Sequence, residues 1–275
     1  MMPTVAPNVA LVIASCDRSA DLWPGLMMSF ARFWAGRTFP SYAITNSLQA
    51  NGPMVTTIPV GDDLSWSDTV LLGLKKVPEE FVLLWIDDHY LTRAVDCSRV
   101  DSTVRAFIET PGANYLRLQT LPKADRHFNQ HFGVILPGRV YRTSVIASLW
   151  RKSVLEGLLR SGESAWQFET SGSLRADLIP GFFAAWREHF AIENMMIKGK
   201  LRRISLWRFE RAIQGRLPSG RARMTLHQEL LLMFSILVNR MLVRMPAGMG
   251  RTLQHVLRRI RYGKLPGTEK QAPCA

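Results

Sequence analysis

The stretch "FVLLWIDDHYL" constrains this chain more than any other. Six consecutive large apolar residues, Phe81 to Ile86, read as a strand buried on both faces. Strands of that kind belong to parallel sheets with helices on either side. The run ends directly on two carboxylates, Asp87 and Asp88, followed by His89.

The chain before this run repeats the same grammar. "NVALVIASCDR" predicts a buried strand from Val9 to Ala14, ending in a polar turn at Ser15 to Arg18. Leu22, Leu26, Phe30, Phe33 and Trp34 follow at helical spacing, and Gly36 stops them. "SYAITN" and "MVTTIPV" are short strands, and Trp66, Val70, Leu71 and Leu74 mark a helix that Pro78 ends. Strand, helix, strand, strand, helix, strand is the order of an α/β domain with a mostly parallel sheet. Further on, a helix is expected from Val100 to Ile108 and a strand at "NYLRLQ". "YRTSVIASLWRKSVLEGLLRSG" reads as one or two helices broken at Gly162, and "SAWQFETSGSLRA" as a loop.

Charge divides the chain in two. From Lys198 onward 17 Lys and Arg face 3 Glu, a net of +14, while the preceding residues hold 18 basic against 19 acidic side chains. The expectation is a near-neutral domain, residues 1–203, followed by a basic helical tail, residues 204–275. At 275 residues the chain can bury a sizeable core. Cys16, Cys97 and Cys274 have no metal-ligand spacing, and no secretory signal opens the sequence, so a reduced, cytoplasmic setting is expected.

The tail contains "LHQELLLMFSILVNRMLVRM", Leu226 to Met245, and then "LQHVLRRIRYGKL". Glu229, Asn239, Arg240 and Arg244 interrupt the first stretch too often for a bilayer span. An amphipathic helix lying on an anionic membrane fits better than a span and would put the protein peripherally on the inner face of the cell membrane. A dimerisation or core-packing helix pair fits the same pattern equally well. Nucleic acid would favour phosphate contacts over the apolar run Leu230 to Val238, so no nucleic-acid partner is expected.

In α/β sheets ligands bind outside the carboxyl ends of strands. Two carboxylates held there repel, and a cation beside them lowers their energy. Oxygen ligands alone suit magnesium or manganese, which take further ligands from a substrate phosphate. The plainer reading makes Asp87 a helix cap and leaves Asp88 solvated. Ser15, Asp17 and Arg18 stand where a base or ribose could be held, and Ser67 and Asp68 open a helix. Glu169 lies between aromatics in "WQFE", where partial burial would raise its pKa toward that of a general base. Taken singly, these residues also fit a turn, a cap and a packed loop. His127 and His131, four apart, have no third zinc ligand at suitable spacing.

In order, "VIASCDRSADLW", "DDLSWSDTVLLGL", "VLLWIDDHYL", "YRTSVIASLWRKSVLEGLL", "GESAWQFE" and "IENMMIKGK" resemble a bacterial family of nucleotide-sugar glycosyltransferases with the GT-A fold. These are met among capsular and surface polysaccharide genes, and the resemblance covers about residues 8 to 203. It implies a GT-A, Rossmann-like sheet, a nucleotide-sugar donor (a UDP-sugar favoured), a saccharide or lipid-linked acceptor, and a divalent cation. "IDDH" stands where such enzymes place an Asp-x-Asp metal motif, with His89 at the third position. The resemblance thereby implies Asp88 and His89 as candidate metal ligands and Asp87 nearer the sugar or ribose. Ser15, Asp17, Arg18, Ser67 and Asp68 would face the donor. Glu169 would be the base of an inverting displacement, with Asp125 and Asp177 as rivals. A reading of a different class makes the chain a catalytically silent scaffold, or a nucleic-acid-binding module acting through its tail.

Overall fold

The computed structural model describes residues 8–52, 54–217, 219–245 and 248–253. In the first half, strands and helices alternate: β1 (Val9–Ala14), α1 (Trp23–Phe33), β2 (Ser41–Thr45), β3 (Val55–Pro59), α2 (Trp66–Leu74), β4 (Phe81–Ile86), β5 (His89–Leu91) and α3 (Cys97–Ile108). Next come β6 (Tyr115–Arg117), β7 (Arg126–His127), β8 (Phe132–Val134), β9 (Ser148–Arg151), α4 (Lys152–Leu158), α5 (Ala165–Gln167) and α6 (Ser173–Arg175). The described chain ends with β10 (Phe182–Ala185), β11 (Ile192–Asn194), β12 (Met196–Ile197), β13 (Lys200–Leu201), α7 (Arg203–Ile213) and α8 (Leu226–Leu242).

Nine strands make one sheet in the order β3-β2-β1-β4-β9-β6-β10-β8-β7. Neighbours among β3, β2, β1 and β4 are parallel, as are β6 and β10, while β9 and β8 run against their neighbours. Since β7 is antiparallel to β8, seven strands point one way and two the other. The sheet is mixed and mostly parallel, with helices on both faces, as the element order required.

The apolar run at β4 is explained by its neighbours. β4 pairs with β1 along its whole length and with β9 on the other side, so neither edge meets water. Phe81, Leu83 and Trp85 face a core shared with Leu26 and Phe30 of α1 and Val104 and Phe107 of α3. Val82 and Leu84 face a second core with Val70 and Leu74 of α2 and Leu155 of α4. A strand covered on both faces has no position for a polar residue until it leaves the sheet, and here it leaves at Asp87.

Two stretches depart from expectation. The segment read as one or two helices contributes β9 before α4, because Leu149 and Trp150 fill opposite faces of the gap between β4 and β6. Long-range pairing of that kind overrides local helical spacing. "SAWQFETSGSLRA", read as a loop, is helical. Ser164 and Gln167 form a capping box over α5, a π-turn spans Phe168–Gly172, and α6 follows. Phe168 is fully buried against Trp66 and Trp150, which anchors the segment that its Ser and Gly content had marked as irregular.

The expected boundary at residues 203 and 204 falls at the start of α7. Leu206, Phe209 and Ile213 of this helix, with Leu217 beyond it, belong to the same core as β1, β4 and α1. Phe209 packs edge-on against Tyr90 at 4.8 Å between ring centroids. In α8 only Glu229 and Leu242 are buried, and beyond it Arg251 returns to the domain as a partner of Asp177. Of "LQHVLRRIRYGKL" only Leu253 lies within the described residues. Among the described residues no helix is long and apolar enough to cross a membrane.

Candidate active site at the strand ends

β1 has β2 on one side and β4 on the other, so the chain's strand order reverses between β1 and β4. A crevice opens at the carboxyl ends of two strands that part in this way. Ser15 and Asp87, the first residues after β1 and β4, meet across it. The Ser15 hydroxyl donates to Asp87 Oδ2 at 2.5 Å and accepts from the Trp23 indole N–H at 2.7 Å. Asp87 is therefore held in place by a serine that is itself held by the first residue of α1.

Asp87 is 7% exposed, whereas the Asp88 side chain reaches the surface with 18% exposure. Burial, and then the neighbouring Asp88 charge, pushes the Asp87 carboxyl up to about 7. Burial likewise pushes Asp88 up to about 7. Burial therefore disfavours the charged form of both carboxyls, and a positive charge beside them would favour it. The Arg221 guanidinium favours both charges, yet it is engaged elsewhere, donating twice to Asp21 at 2.7 Å. A hard divalent cation fits this pair, because two anionic oxygen donors are present and one opens to solvent. Among the described residues no group of three or more His, Cys, Asp or Glu is arranged to hold a metal. The remaining ligands would have to come from water and substrate oxygens, the habit of magnesium and manganese.

His89 opens β5 and is buried at 3% exposure. Its Nε2 lies 3.3 Å from Asn194 Nδ2 and 3.7 Å from Asp88 Oδ1, while Nδ1 has no partner. β5 pairs with β11, which sets His89 opposite Asn194. Burial pulls the imidazole down to about 4, so it is neutral at physiological pH. Beside it lies a cavity of about 260 Å³, walled by His89, Gln119, Thr120, Glu188 and Asn194 with Leu121, Ile146 and Ile192. The cavity and the carboxylate pair share one wall, His89.

The other expected residues fall into three positions. Asp17 takes hydrogen bonds from the Asn46, Ser47 and Leu48 amides at 3.0, 2.9 and 3.2 Å, so its carboxylate staples the turn after β1 to the loop after β2. Arg18 pairs with Asp63 at 2.6 Å at the surface. Ser67 and Asp68 sit at the N-terminus of α2. The Ser67 hydroxyl is buried without a partner, and Asp68 receives Ser65 Oγ at 2.5 Å and the Gly162 amide at 3.0 Å. Burial opposes the Asp68 charge, but these hydrogen bonds outweigh it and hold the carboxyl below its usual range.

Glu169 lies in the π-turn, its Oε1 receiving the Ser144 hydroxyl at 2.9 Å and the Val145 amide at 3.1 Å. Those two residues lead into β9, whose first residue, Ser148, pairs with Leu84 near the carboxyl end of β4. The neighbouring Ile146 is part of the cavity wall. Its two rivals are committed to structure. Asp125 is paired with Arg139 at 2.5 Å and receives the Leu136 amide, and Asp177 binds Arg251 and the Gly138 amide. The sequence reading missed Arg221 and Asn194. Arg221 belonged to a stretch read as an independent tail, and Asn194 is joined to His89 by a strand pairing that no local pattern records.

A mixed, mostly parallel sheet flanked by helices, with paired acids at its topological switch point and a polar cavity alongside, defines a doubly wound α/β domain. No family model matches the sequence, and no curated protein matches it. Solved structures do resemble the fold. TarS of S. aureus in complex with UDP-GlcNAc shares 12% identity and a TM-score of 0.45, covering 67% of this chain and 57% of its own. The mannosyltransferase PcManGT from Pyrobaculum calidifontis, in complex with GDP-Man and Mn2+, shares 12% identity and a TM-score of 0.44, covering 96% of this chain and 78% of its own. The chain thus spans less than two thirds of the TarS structure's length. At such distances the likeness is one of outline, and what this chain does has to be decided by its own residues.

Proposed function

We propose that this protein transfers a sugar from a nucleotide-sugar donor to a saccharide acceptor, with inversion at the anomeric carbon. The observation that supports it is the Asp87–Asp88 pair at the switch point, raised in pKa by burial and, for Asp87, by the neighbouring Asp88 charge, and open to solvent through Asp88. In this reading Asp88 and Asp87 hold magnesium or manganese, and His89 closes the site behind them. When bound, the ion offsets the charge that develops on the departing diphosphate. Arg18, exposed beside its partner Asp63, is placed to exchange that partner for a donor phosphate or base. Ser15 and Asp17 act by holding Asp87 and the turn, and Ser67 and Asp68 by fixing the start of α2.

The acceptor occupies the cavity beside His89. Gln119, Thr120, Glu188 and Asn194 offer the hydrogen-bonding edges a sugar ring requires, and Leu121 and Ile192 offer an apolar wall for its C–H face. Its hydroxyl oxygen attacks the anomeric carbon as the bond from that carbon to the diphosphate oxygen breaks. The electron pair leaves with the nucleoside diphosphate, and the hydroxyl proton passes to a carboxylate. Glu169 is that base, oriented by Ser144 and Val145 one residue from the cavity wall. Glu188 is the second candidate because it lines the cavity itself. The motif order described above favours a growing surface glycan as acceptor and UDP as the carrier.

Thermal unfolding with UDP, GDP or CDP, each with and without manganese, tests the reading. One nucleotide should stabilise the fold only when the metal is present, since a ligand confined to the folded state must raise stability. No response to any of the three with manganese would refute it. Glu169→Gln should retain that response while losing turnover, and Glu188→Gln should retain both if Glu169 is the base.

A further inference from the structure

The proposed glycosyl transfer makes no use of the outer face of α8. The helix begins with a capping box, Thr225 receiving the Gln228 amide at 3.2 Å and Gln228 receiving the Thr225 amide at 3.1 Å. Glu229 in its first turn is buried and receives the Arg203 amide at 2.6 Å. The capping box fixes where α8 starts, and the Glu229–Arg203 contact turns that face of its first turn toward the body.

It shows hydrocarbon. Leu226, Leu230, Met233, Phe234, Leu237 and Met241 are 73, 65, 51, 67, 50 and 56% exposed. Their spacing places all six on one stripe of the helix, over about 23 Å at the helical rise. Isolated exposed apolar residues are ordinary, but a contiguous stripe of six marks a contact surface. Arg240 and Arg244, both exposed and in no ion pair among the described residues, border its C-terminal end. Glu229 is the one acid between Thr225 and Met245, and it is turned inward.

We propose that α8 is a membrane-docking helix that lies flat on an anionic lipid surface. The stripe from Leu226 to Met241 enters the acyl boundary, and Arg240 and Arg244 rest among headgroup phosphates. Charge selects this occupant. A second copy of the chain would bring the same two arginines and no exposed acid from α8 to receive them. Nucleic acid would receive the arginines but leave the hydrocarbon stripe wet. A lipid surface takes both, burying apolar area and drawing cationic residues to its phosphates. α8 is tied through Glu229 to Arg203 at the head of α7, and α7 is part of the main core. Docking would therefore set the orientation of the whole domain.

The test is co-sedimentation of the full chain with vesicles of phosphatidylcholine alone or mixed with phosphatidylglycerol. It requires no turnover, so its failure and the failure of the glycosyl-transfer reading are separate results. Binding to the mixed vesicles should exceed binding to phosphatidylcholine by about tenfold or more. Leu230→Ser, Phe234→Ser and Leu237→Ser together should reduce it by about a hundredfold. Arg240→Ser should cost about fivefold and weaken the dependence on salt. These residues are solvent-exposed, so all variants should keep the wild-type melting temperature and nucleotide response. Equal binding by the triple variant, or no binding by the wild-type chain, overturns the proposal. So does a wild-type dimer in light scattering that the triple variant converts to monomer without any vesicle binding by either.

Discussion

Replacing Asp87 by Asn should change how stability depends on pH, in a direction opposite to the common carboxylate. Asp87 ionises in the folded chain near 7 rather than at 3.8, so the folded state holds a proton that the unfolded state has released. A raised carboxyl contributes stability that is complete below pH 3.8 and is lost as pH rises toward 7. The difference of about three pH units corresponds to about 4 kcal/mol, an upper bound because Asp88 titrates alongside. Two buried imidazoles oppose this in the wild type. Burial pulls His89 and His189 down to about 4 from 6.5, so each contributes stability that is lost as pH falls through that range. The wild-type profile is consequently flatter than either pair alone would make it. The variant isolates one contribution, since asparagine keeps an oxygen to receive Ser15 and carries no charge. Urea unfolding in a chelating buffer should find Asp87→Asn gaining on the wild type as pH rises from about 4 to 7, up to the bound above. Saturating manganese should then raise the wild type at neutral pH and leave the variant nearly unmoved. A difference between the two proteins that does not vary with pH would refute the idea that burial raises the Asp87 carboxyl in the folded chain.

Three further outcomes follow from single contacts. Arg221→Ala removes the clamp on Asp21 and the Arg18 carbonyl, and should weaken metal-dependent nucleotide binding about tenfold in calorimetry, with a smaller loss of stability. Asp17→Ala strips the acceptor from three loop amides and should cost about 2 kcal/mol in chemical unfolding. Gly181 has φ +77 and a Cβ there would stand 2.0 Å from the Gly112 carbonyl oxygen, so Gly181→Ala should lower the melting temperature by several degrees; an unchanged value would show that the β10 turn relaxes freely.

What could be read from the residues, and what could not, has a physical division. β1, α1, α2 and β4 declare themselves because their apolar runs and helical spacing coincide with the faces that are buried. β9 is hidden because its strand character comes from β4 and β6, to which it is antiparallel. The Phe168 turn is hidden for a related reason: serine and glycine signal a loop, while the aromatic ring that fixes it packs against Trp66 and Trp150 from other parts of the chain.

The same division runs through the site. Asp87 and Asp88 are legible because a doubly covered strand cannot hide a charge, so the first acid must lie where the sheet ends. Ser15 is legible as a strand end, but its grip on Asp87 comes from the pairing of β1 with β4. Arg221 could not be found by any local rule. Charge counting assigned it to a separate basic tail, since composition averages over residues that the fold then sorts. Arg221 turns back to Asp21 beside the carboxylates, while Arg240 and Arg244 stay with the apolar stripe of α8. One stretch of positive charge thus has several destinations: Asp21 for Arg221, Asp177 for Arg251 and the apolar stripe for Arg240 and Arg244. α7, whose Leu206, Phe209 and Ile213 enter the main core, anchors the start of that stretch. If α7 were loosened by Phe209→Ala, a cavity change of about 3 to 5 kcal/mol, both should suffer together: weaker nucleotide response from a displaced Arg221, and vesicle binding no longer coupled to the orientation of the domain. Loss of stability with the nucleotide response intact would show that Arg221 reaches Asp21 without α7 to carry it there.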